Sequence, residues 1–186
     1  LNNKTTYHFI GVGGIGMSGL AELLVRQGYP VSGSDLAANA ITRRLETLGV
    51  RVHQGHCAEH LSAADIVVHS TAVKEDNPEL AAARARGLKV LRRGEMLARL
   101  MDNHFQIAVT GAHGKTSTTA MTAAVLRAGG LDPTVVVGAV WDNLGSNAIL
   151  GRGDYFVAEA DESDGSFTYL APEISVITNL DKEHLD

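Results

Sequence analysis

Residues able to do chemistry concentrate in two short loops and one strand end. The first loop is Gly11-Val12-Gly13-Gly14-Ile15-Gly16, a G-x-G-x-x-G that follows an apolar run and opens a helical pattern. Glycines at this spacing permit a tight turn and let backbone amides approach a diphosphate. The N-terminus of the following helix adds partial positive charge. Asp35 ends the next strand about twenty residues on, where a carboxylate can accept from a ribose hydroxyl. The motif admits a nicotinamide dinucleotide or another nucleotide diphosphate and by itself does not separate them. A tight turn with no ligand is the plain alternative.

The second loop is Val109-Thr110-Gly111-Ala112-His113-Gly114-Lys115-Thr116-Ser117, again between a strand and a helix. Gly114-Lys115-Thr116 is the phosphate-binding core of a P-loop. Lys115 supplies a point charge for β- and γ-phosphates, Thr116 a hydroxyl for Mg²⁺, and the amides of the turn cradle phosphate oxygens. The usual spacing asks for glycine at position 109, where this chain has valine. The acidic strand end, Val157 to Gly165, carries Glu159, Asp161, Glu162 and Asp164. Ligands gather at the carboxyl ends of parallel strands, and an acid there can hold the Mg²⁺ that bridges ATP phosphates. A solvated acidic loop is the alternative. Two nucleotide-type loops suit one domain for a nucleotide-linked substrate and a second for ATP better than they suit a plain dehydrogenase.

Other residues say less. His184, taken alone, reads as a surface histidine. His53, His56, Cys57 and His60 suggest a transition metal only weakly, because a strand-to-loop segment offers no helical face of ligands. Trp141 and Met17 have no chemistry legible from type or spacing.

The elements that must position these residues alternate. Tyr7–Ile10, Val31–Asp35, Val50–His53, Asp65–His69 and Leu88–Leu91 read as strands. Helices read from Ile15 to the stop at Gly28, and over Ala38–Leu48, Pro78–Arg86 and Glu95–Met101. Asp65–His69 is apolar enough to be buried on both faces, as parallel strands are. The pattern restarts after the hinge candidate Asp102-Asn103-His104. Phe105–Thr110 reads as a strand and Gly114–Ala128 as a helix, and further strands read over Val135–Val137, Tyr155–Glu159 and Ile174–Thr178. The expected fold is α/β with parallel sheets. Its first domain is Rossmann-like, over residues 1–103. Its second, over 104–186, lacks closing helices, and a parallel sheet short of strands exposes an edge and an apolar face.

Composition agrees. The 186 residues are 45% hydrophobic and 20% charged, a globular profile too apolar for disorder. The net charge of −5 argues against a general nucleic-acid binder. No apolar run approaches the roughly 18 residues of a membrane span. Cys57 stands alone, so no internal disulfide forms, which fits a reducing cytoplasm.

At this point the residues resemble the Mur ligase family. The matching pieces are Gly11 to Gly19, Gly33-Ser34-Asp35, Gly55-His56, Thr71 to Pro78 and Arg93 to Leu97. The most specific are Thr110 to Thr119, Ala158 to Phe167 and Thr178 to Asp186. They follow the family's order over nearly the whole chain and lie nearest the members that join L-alanine to UDP-N-acetylmuramate.

The resemblance implies a role for each matching residue. Gly11, Gly13, Gly14, Ile15, Gly16, Met17 and Ser18 would grip the UDP diphosphate. Asp35 would face the uridine ribose and His56 the uridine region, Ser70 and Thr71 would line the same cleft, and Asn179 would sit beside the substrate. A UDP-sugar then replaces the dinucleotide as the expected ligand of the first loop. ATP would lie on Gly111, Ala112, His113, Gly114, Lys115, Thr116 and Ser117. Thr116 and Glu159 would hold one Mg²⁺ and His184 a second, with Lys115, Glu159 and His184 as the catalytic set.

The implied reaction is phosphorylation of the muramyl carboxylate by ATP, followed by attack of the alanine amine on the acyl phosphate, in peptidoglycan precursor synthesis. Lys115 and the metal ions would neutralise the developing charge. The family most often has Thr where this chain has Ala112 and Ser117. Its members also carry more of the central domain and a third domain, so the 186-residue chain is expected to bind UDP-N-acetylmuramate without ligase activity. Three alternatives stand: a recycling ligase that adds a ready-made murein peptide, for which Tyr would be expected at Ser163; a nicotinamide dehydrogenase, which leaves Lys115 and Glu159 unexplained; and a non-catalytic UDP-sugar-binding module. The sequence leaves the oligomeric state open.

Overall fold

The structure is a computed structural model that describes residues 4–141, 146–160 and 165–181. The chain separates into two compact units, Leu1–Met96 and Leu97–Asp186. The division falls inside a helix, ahead of the hinge read at Asp102-Asn103-His104.

The first unit is a five-stranded, all-parallel sheet. Its strands are β1 (Tyr7–Ile10), β2 (Val31–Asp35), β3 (Arg51–Gln54), β4 (Ile66–His69) and β5 (Lys89–Arg92), in the order β3-β2-β1-β4-β5. That is a doubly wound order, and its switch point, where ligands bind, lies at the carboxyl ends of β1 and β4. The central strands are buried throughout, as a sheet covered on both faces requires.

The connecting helices are α1 (Ile15–Arg26), α2 (Ala40–Thr47) and α3 (Pro78–Ala85). In α1, Met17, Leu20, Leu23 and Leu24 recur at helical spacing and are buried. Asn39 and Thr42 form a reciprocal capping box at the start of α2. The Asn77 side chain accepts from the amides of Glu79 and Leu80 to start α3, with Pro78 in its first turn. A single 3₁₀ turn, Ala58–Leu61, follows β3. Ile10, Leu61, Ala64, Val67, Leu80 and Ala83 pack one core layer.

Helix α4 (Arg93–Met101) carries the chain into the second unit. Here β6 (Phe105–Thr110), α5 (Lys115–Ala128), β7 (Thr134–Trp141), β8 (Ser146–Ile149), β9 (Tyr155–Glu159) and β10 (Ile174–Ile177) build a second sheet, in the order β10-β6-β9-β7-β8. A 3₁₀ turn spans Ser166–Tyr169. Four strands are parallel, and β8 returns antiparallel along β7. This antiparallel strand was not expected from sequence. Ser146-Asn147-Ala148-Ile149 carries no apolar alternation, and the strand forms by pairing with β7, Ile149 opposite Val135, Ala148 opposite Val136 and Ser146 opposite Trp141. Its Asn147 is buried, with the side-chain amide on the Val137 carbonyl at 3.3 Å.

The second core is Ile107, Val109, Ala123, Val135, Val137 and Val157. Part of this unit's apolar surface stays uncovered: Met121 and Val125 on α5, and Ile174 and Ile177 on the edge strand β10, are exposed. No helix among the described residues is long and apolar enough to cross a membrane.

Candidate functional site

Each unit brings one set of candidate residues to the carboxyl ends of its strands. In the first unit, the turn from β1 to α1 is tied to β2: the amides of Gly11 and Val12 donate to the Ser34 carbonyl at 2.8 and 3.0 Å. Gly11 has φ of 81°, a conformation that favours glycine. The Gly13 amide donates to Asp35 Oδ2 at 2.8 Å, and a Cβ at Gly13 would lie 2.8 Å from that same oxygen. Glycine is therefore what lets Asp35 close on the loop. Oδ1 of Asp35 accepts from the Ala37 amide at 3.3 Å.

Beside this turn is a cleft of about 490 Å³ whose lining includes Gly11, Asp35, His56, Ser70 and Asn77. Thr71 is exposed just beyond Ser70. Gly14 caps α1, Ile15 and Gly16 begin it, and the side chain of Arg93 lies along Gly16. Met17 and Ser18 have buried side chains, with the Ser18 hydroxyl donating to the Ile15 carbonyl at 2.9 Å. These two can meet a ligand at the loop only through the backbone.

The histidines read as a weak metal candidate are committed elsewhere. His56 and His60 direct Nδ1 at Glu79, at 3.0 and 2.7 Å, and His53 stacks on His60 with ring centroids 4.2 Å apart. Cys57 is exposed and donates to Glu59. Among the described residues no group of three or more His, Cys, Asp or Glu side chains could hold a metal ion.

In the second unit, the loop between β6 and α5 wraps a left-handed Gly114 at the helix N-cap. Lys115 folds over the loop, and its Nζ donates to the carbonyls of Gly111 and Ala112 at 2.7 and 3.2 Å. The Thr116 hydroxyl donates to Glu159 Oε2 at 2.9 Å, and the Gly138 amide donates to the same oxygen at 2.7 Å. Thus the end of β9 supplies a carboxylate directly beside the Thr116 hydroxyl of α5's first turn. Ser117 is exposed in that turn.

The far wall of the loop is the segment after β10. Asn179 clamps His113, accepting from its amide at 2.9 Å and donating to its carbonyl at 2.8 Å. The Thr178 hydroxyl also donates to the His113 carbonyl, at 2.6 Å. At Gly111, with φ of 124°, a Cβ would lie 2.3 Å from the Thr178 hydroxyl. Both polar ends of the Asn179 side chain therefore support the loop between β6 and α5, in a different unit from the cleft that holds Asp35 and His56. A cavity of about 380 Å³ adjoins, with Thr110, Gly111, Phe167, Asn179 and Asp181 in its lining. His184, and the acidic residues Asp161, Glu162 and Asp164, lie outside the described residues.

Sequence reasoning missed Gly138, Thr178 as a brace, and Glu79. Gly138 sits mid-strand, and only its register opposite the end of β9 reveals its use. Glu79 reads as an ordinary first-turn acid of α3.

Residues 6–105 match the family model described as Mur ligase family, catalytic domain, and residues 109–186 match the model described as Mur ligase middle domain. The chain belongs to the Mur ligase family. It is 55% identical over 98% of its length to UDP-N-acetylmuramate–L-alanine ligase of Desulfatibacillum aliphaticivorans, of which it covers 40%. Among solved structures, it matches the UDP-N-acetylmuramate:L-alanyl-gamma-D-glutamyl-meso-diaminopimelate ligase of Neisseria meningitides with a TM-score of 0.90. That pair is 32% identical, over 98% of this chain and 63% of that one. The UDP-N-acetylmuramate-alanine ligase of Thermotoga maritima gives 0.87 at 35% identity, over 97% and 42%. The chain thus spans about two fifths of the length of the alanine ligases it matches.

Proposed function

We propose that this chain is the nucleotide-handling part of a cytoplasmic, ATP-dependent ligase that joins L-alanine to the muramyl carboxylate of UDP-N-acetylmuramate. Residues 1–103 would hold the UDP-sugar and residues 104–186 would hold ATP. The observation that carries the reading is the convergence of the Thr116 hydroxyl and the Gly138 amide on Glu159, at the start of the helix whose Lys115 folds over the adjoining glycine loop. A P-loop with its acidic strand end in place fits Mg²⁺ and nucleotide phosphates, and a dehydrogenase has no use for it.

Thr116 and Glu159 supply hard oxygen donors of the kind Mg²⁺ takes, and Mg²⁺ bound there would offset charge on the transferred phosphoryl group. The loop amides and Lys115 orient the phosphates. The turn at Gly11 to Gly16, with the N-terminus of α1, receives the UDP diphosphate. The overall chemistry would be transfer of a phosphoryl group from ATP to the carboxylate, then displacement of phosphate by the amine of alanine. The alanine-adding reading is preferred over the peptide-adding one because the 55% identical relative is an alanine ligase, while the peptide ligase shares 32%.

Calorimetric titration of the chain with UDP-N-acetylmuramate, with NADH as control, tests the first domain. The expected result is binding of the UDP-sugar and not of NADH. Binding of NADH alone would overturn the proposal.

A further inference from the structure

Glu79 is fully buried in the first turn of α3. A carboxylate there costs several kcal/mol unless its oxygens are satisfied. Capping does not require it, since Asn77 already receives the amides that start α3. Yet side chains from four other segments converge on it. Oε2 accepts from the Ser34 hydroxyl at the end of β2 and lies 3.0 Å from His56 Nδ1, in the loop after β3. Oε1 lies 2.7 Å from His60 Nδ1, in the 3₁₀ turn, and 3.5 Å from Nε2 of the buried His8 in β1. Behind these, His8 Nδ1 meets the Ser32 hydroxyl at 2.9 Å, and His53 stacks on His60.

An ionised carboxylate only accepts hydrogen bonds. His56 Nδ1 also lies 3.0 Å from the Ser34 hydroxyl oxygen, whose own proton goes to Glu79. Both neighbours of Nδ1 are then acceptors, so the proton is on Nδ1, and in a neutral ring Nε2 is left as an acceptor. His56 is also part of the cleft wall beside Gly11, Asp35 and Ser70. Among the described residues no hydrogen bond uses its Nε2.

We infer that Glu79 is a positioning residue that fixes His56 as the Nδ1–H tautomer, so that His56 presents Nε2 to the cleft as an acceptor for an N–H or O–H of the bound ligand. The inference rests on the reading of the cleft as the UDP-sugar site, where uracil imide and ribose hydroxyls are donors of that kind. A ligand offering only an acceptor at that point would meet lone pair against lone pair. Glu79 acts through His56, and its charge, rather than its bulk, is what sets the tautomer.

The test is the ring ¹⁵N shifts of His56 in the ligand-free chain, read well above the ordinary histidine value of about 6.5, alongside UDP-N-acetylmuramate titrations. The wild-type chain should show protonated Nδ1 and unprotonated Nε2. Glu79→Leu keeps the bulk but removes both acceptor oxygens and frees the Ser34 hydroxyl to donate to His56 Nδ1, so the Nε2–H tautomer should become populated and affinity should fall about tenfold. Ser34→Ala keeps the carboxylate and should keep the wild-type tautomer. A wild-type His56 protonated on Nε2 would overturn the inference, as would a folded Glu79→Leu chain with unchanged tautomer or unchanged affinity. If Glu79→Leu does not fold, the wild-type shifts decide. The expected tautomer without any UDP-sugar binding would support the positioning of His56 and overturn the reading of the cleft.

Discussion

Gly138 shows how one atom can govern the second site. Its amide holds Glu159 Oε2, and a Cβ at this position would lie 2.7 Å from Oε1 and 3.0 Å from Cδ of the same side chain. Glu159 is itself bonded to Thr116, so it cannot retreat without leaving the hydroxyl beside it. Gly138→Ala should displace the carboxylate while the strand survives, because the φ of Gly138 is not in the left-handed region. The expected outcome is roughly a tenfold loss of Mg²⁺-dependent ATP affinity, about one hydrogen bond to a charged group, with little change in Mg²⁺-free binding. Titrations with and without Mg²⁺ check it. Equal losses in both would mean that Glu159 serves the loop's structure and not the metal.

Between elements, the Glu79 cluster is a polar joint linking β1, β2, the 3₁₀ turn and α3 inside an otherwise apolar layer. Burial by itself would raise this carboxyl, but the facing His8 imidazole and the hydrogen bonds from Ser34 and His60 outweigh it and hold the pKa at about 2, against an ordinary 4.5. Burial, with His60, His8 and Arg51 close by, lowers His53 from 6.5, and Glu79 only partly opposes this. Both signs run the same way. Below 6.5 the unfolded chain protonates its histidine before the native one does, and between 4.5 and 2 it protonates its glutamate first. Stability should therefore decline in two stages on acidification, a first below pH 6.5 and a second as pH falls from 4.5 through about 2. Melting temperature against pH reads both, and Glu79→Gln should flatten the second stage. Many strands were legible in the sequence: the ranges Tyr7–Ile10, Val31–Asp35, Phe105–Thr110 and Tyr155–Glu159 match residue for residue, and all but Val31–Asp35 are short, largely apolar runs, as buried parallel strands are. β8 was not legible, since its pairing with β7 is tertiary. The joint was not legible either, since His8, Ser34, His56, His60 and Glu79 are distant in sequence and meet only through strand order. The two glycine loops were readable because their chemistry is local, whereas Gly138 on β7 and the Thr178 brace after β10 reach the second site from segments distant in sequence.

At the scale of the whole chain, each unit has its own core and its own cavity beside the carboxyl ends of its strands. The phosphate loop, its lysine and its carboxylate are built from β6, α5, β7 and β9, and the first cleft from β1, β2, β4 and their loops. The alanine ligases that the chain resembles are about two and a half times as long, judged from the 40% of the relative that it covers. An amide-forming reaction needs the amine held within attacking distance of an activated carboxylate, a positioning effect worth several orders of magnitude in rate. The 186-residue polypeptide should accordingly bind UDP-N-acetylmuramate, and ATP with Mg²⁺, yet release no phosphate when L-alanine is added. A phosphate-release assay with all three substrates checks this. Alanine-dependent release at a rate typical of enzymes, on the order of 1–10³ s⁻¹, would mean that these two units also provide the amino-acid site.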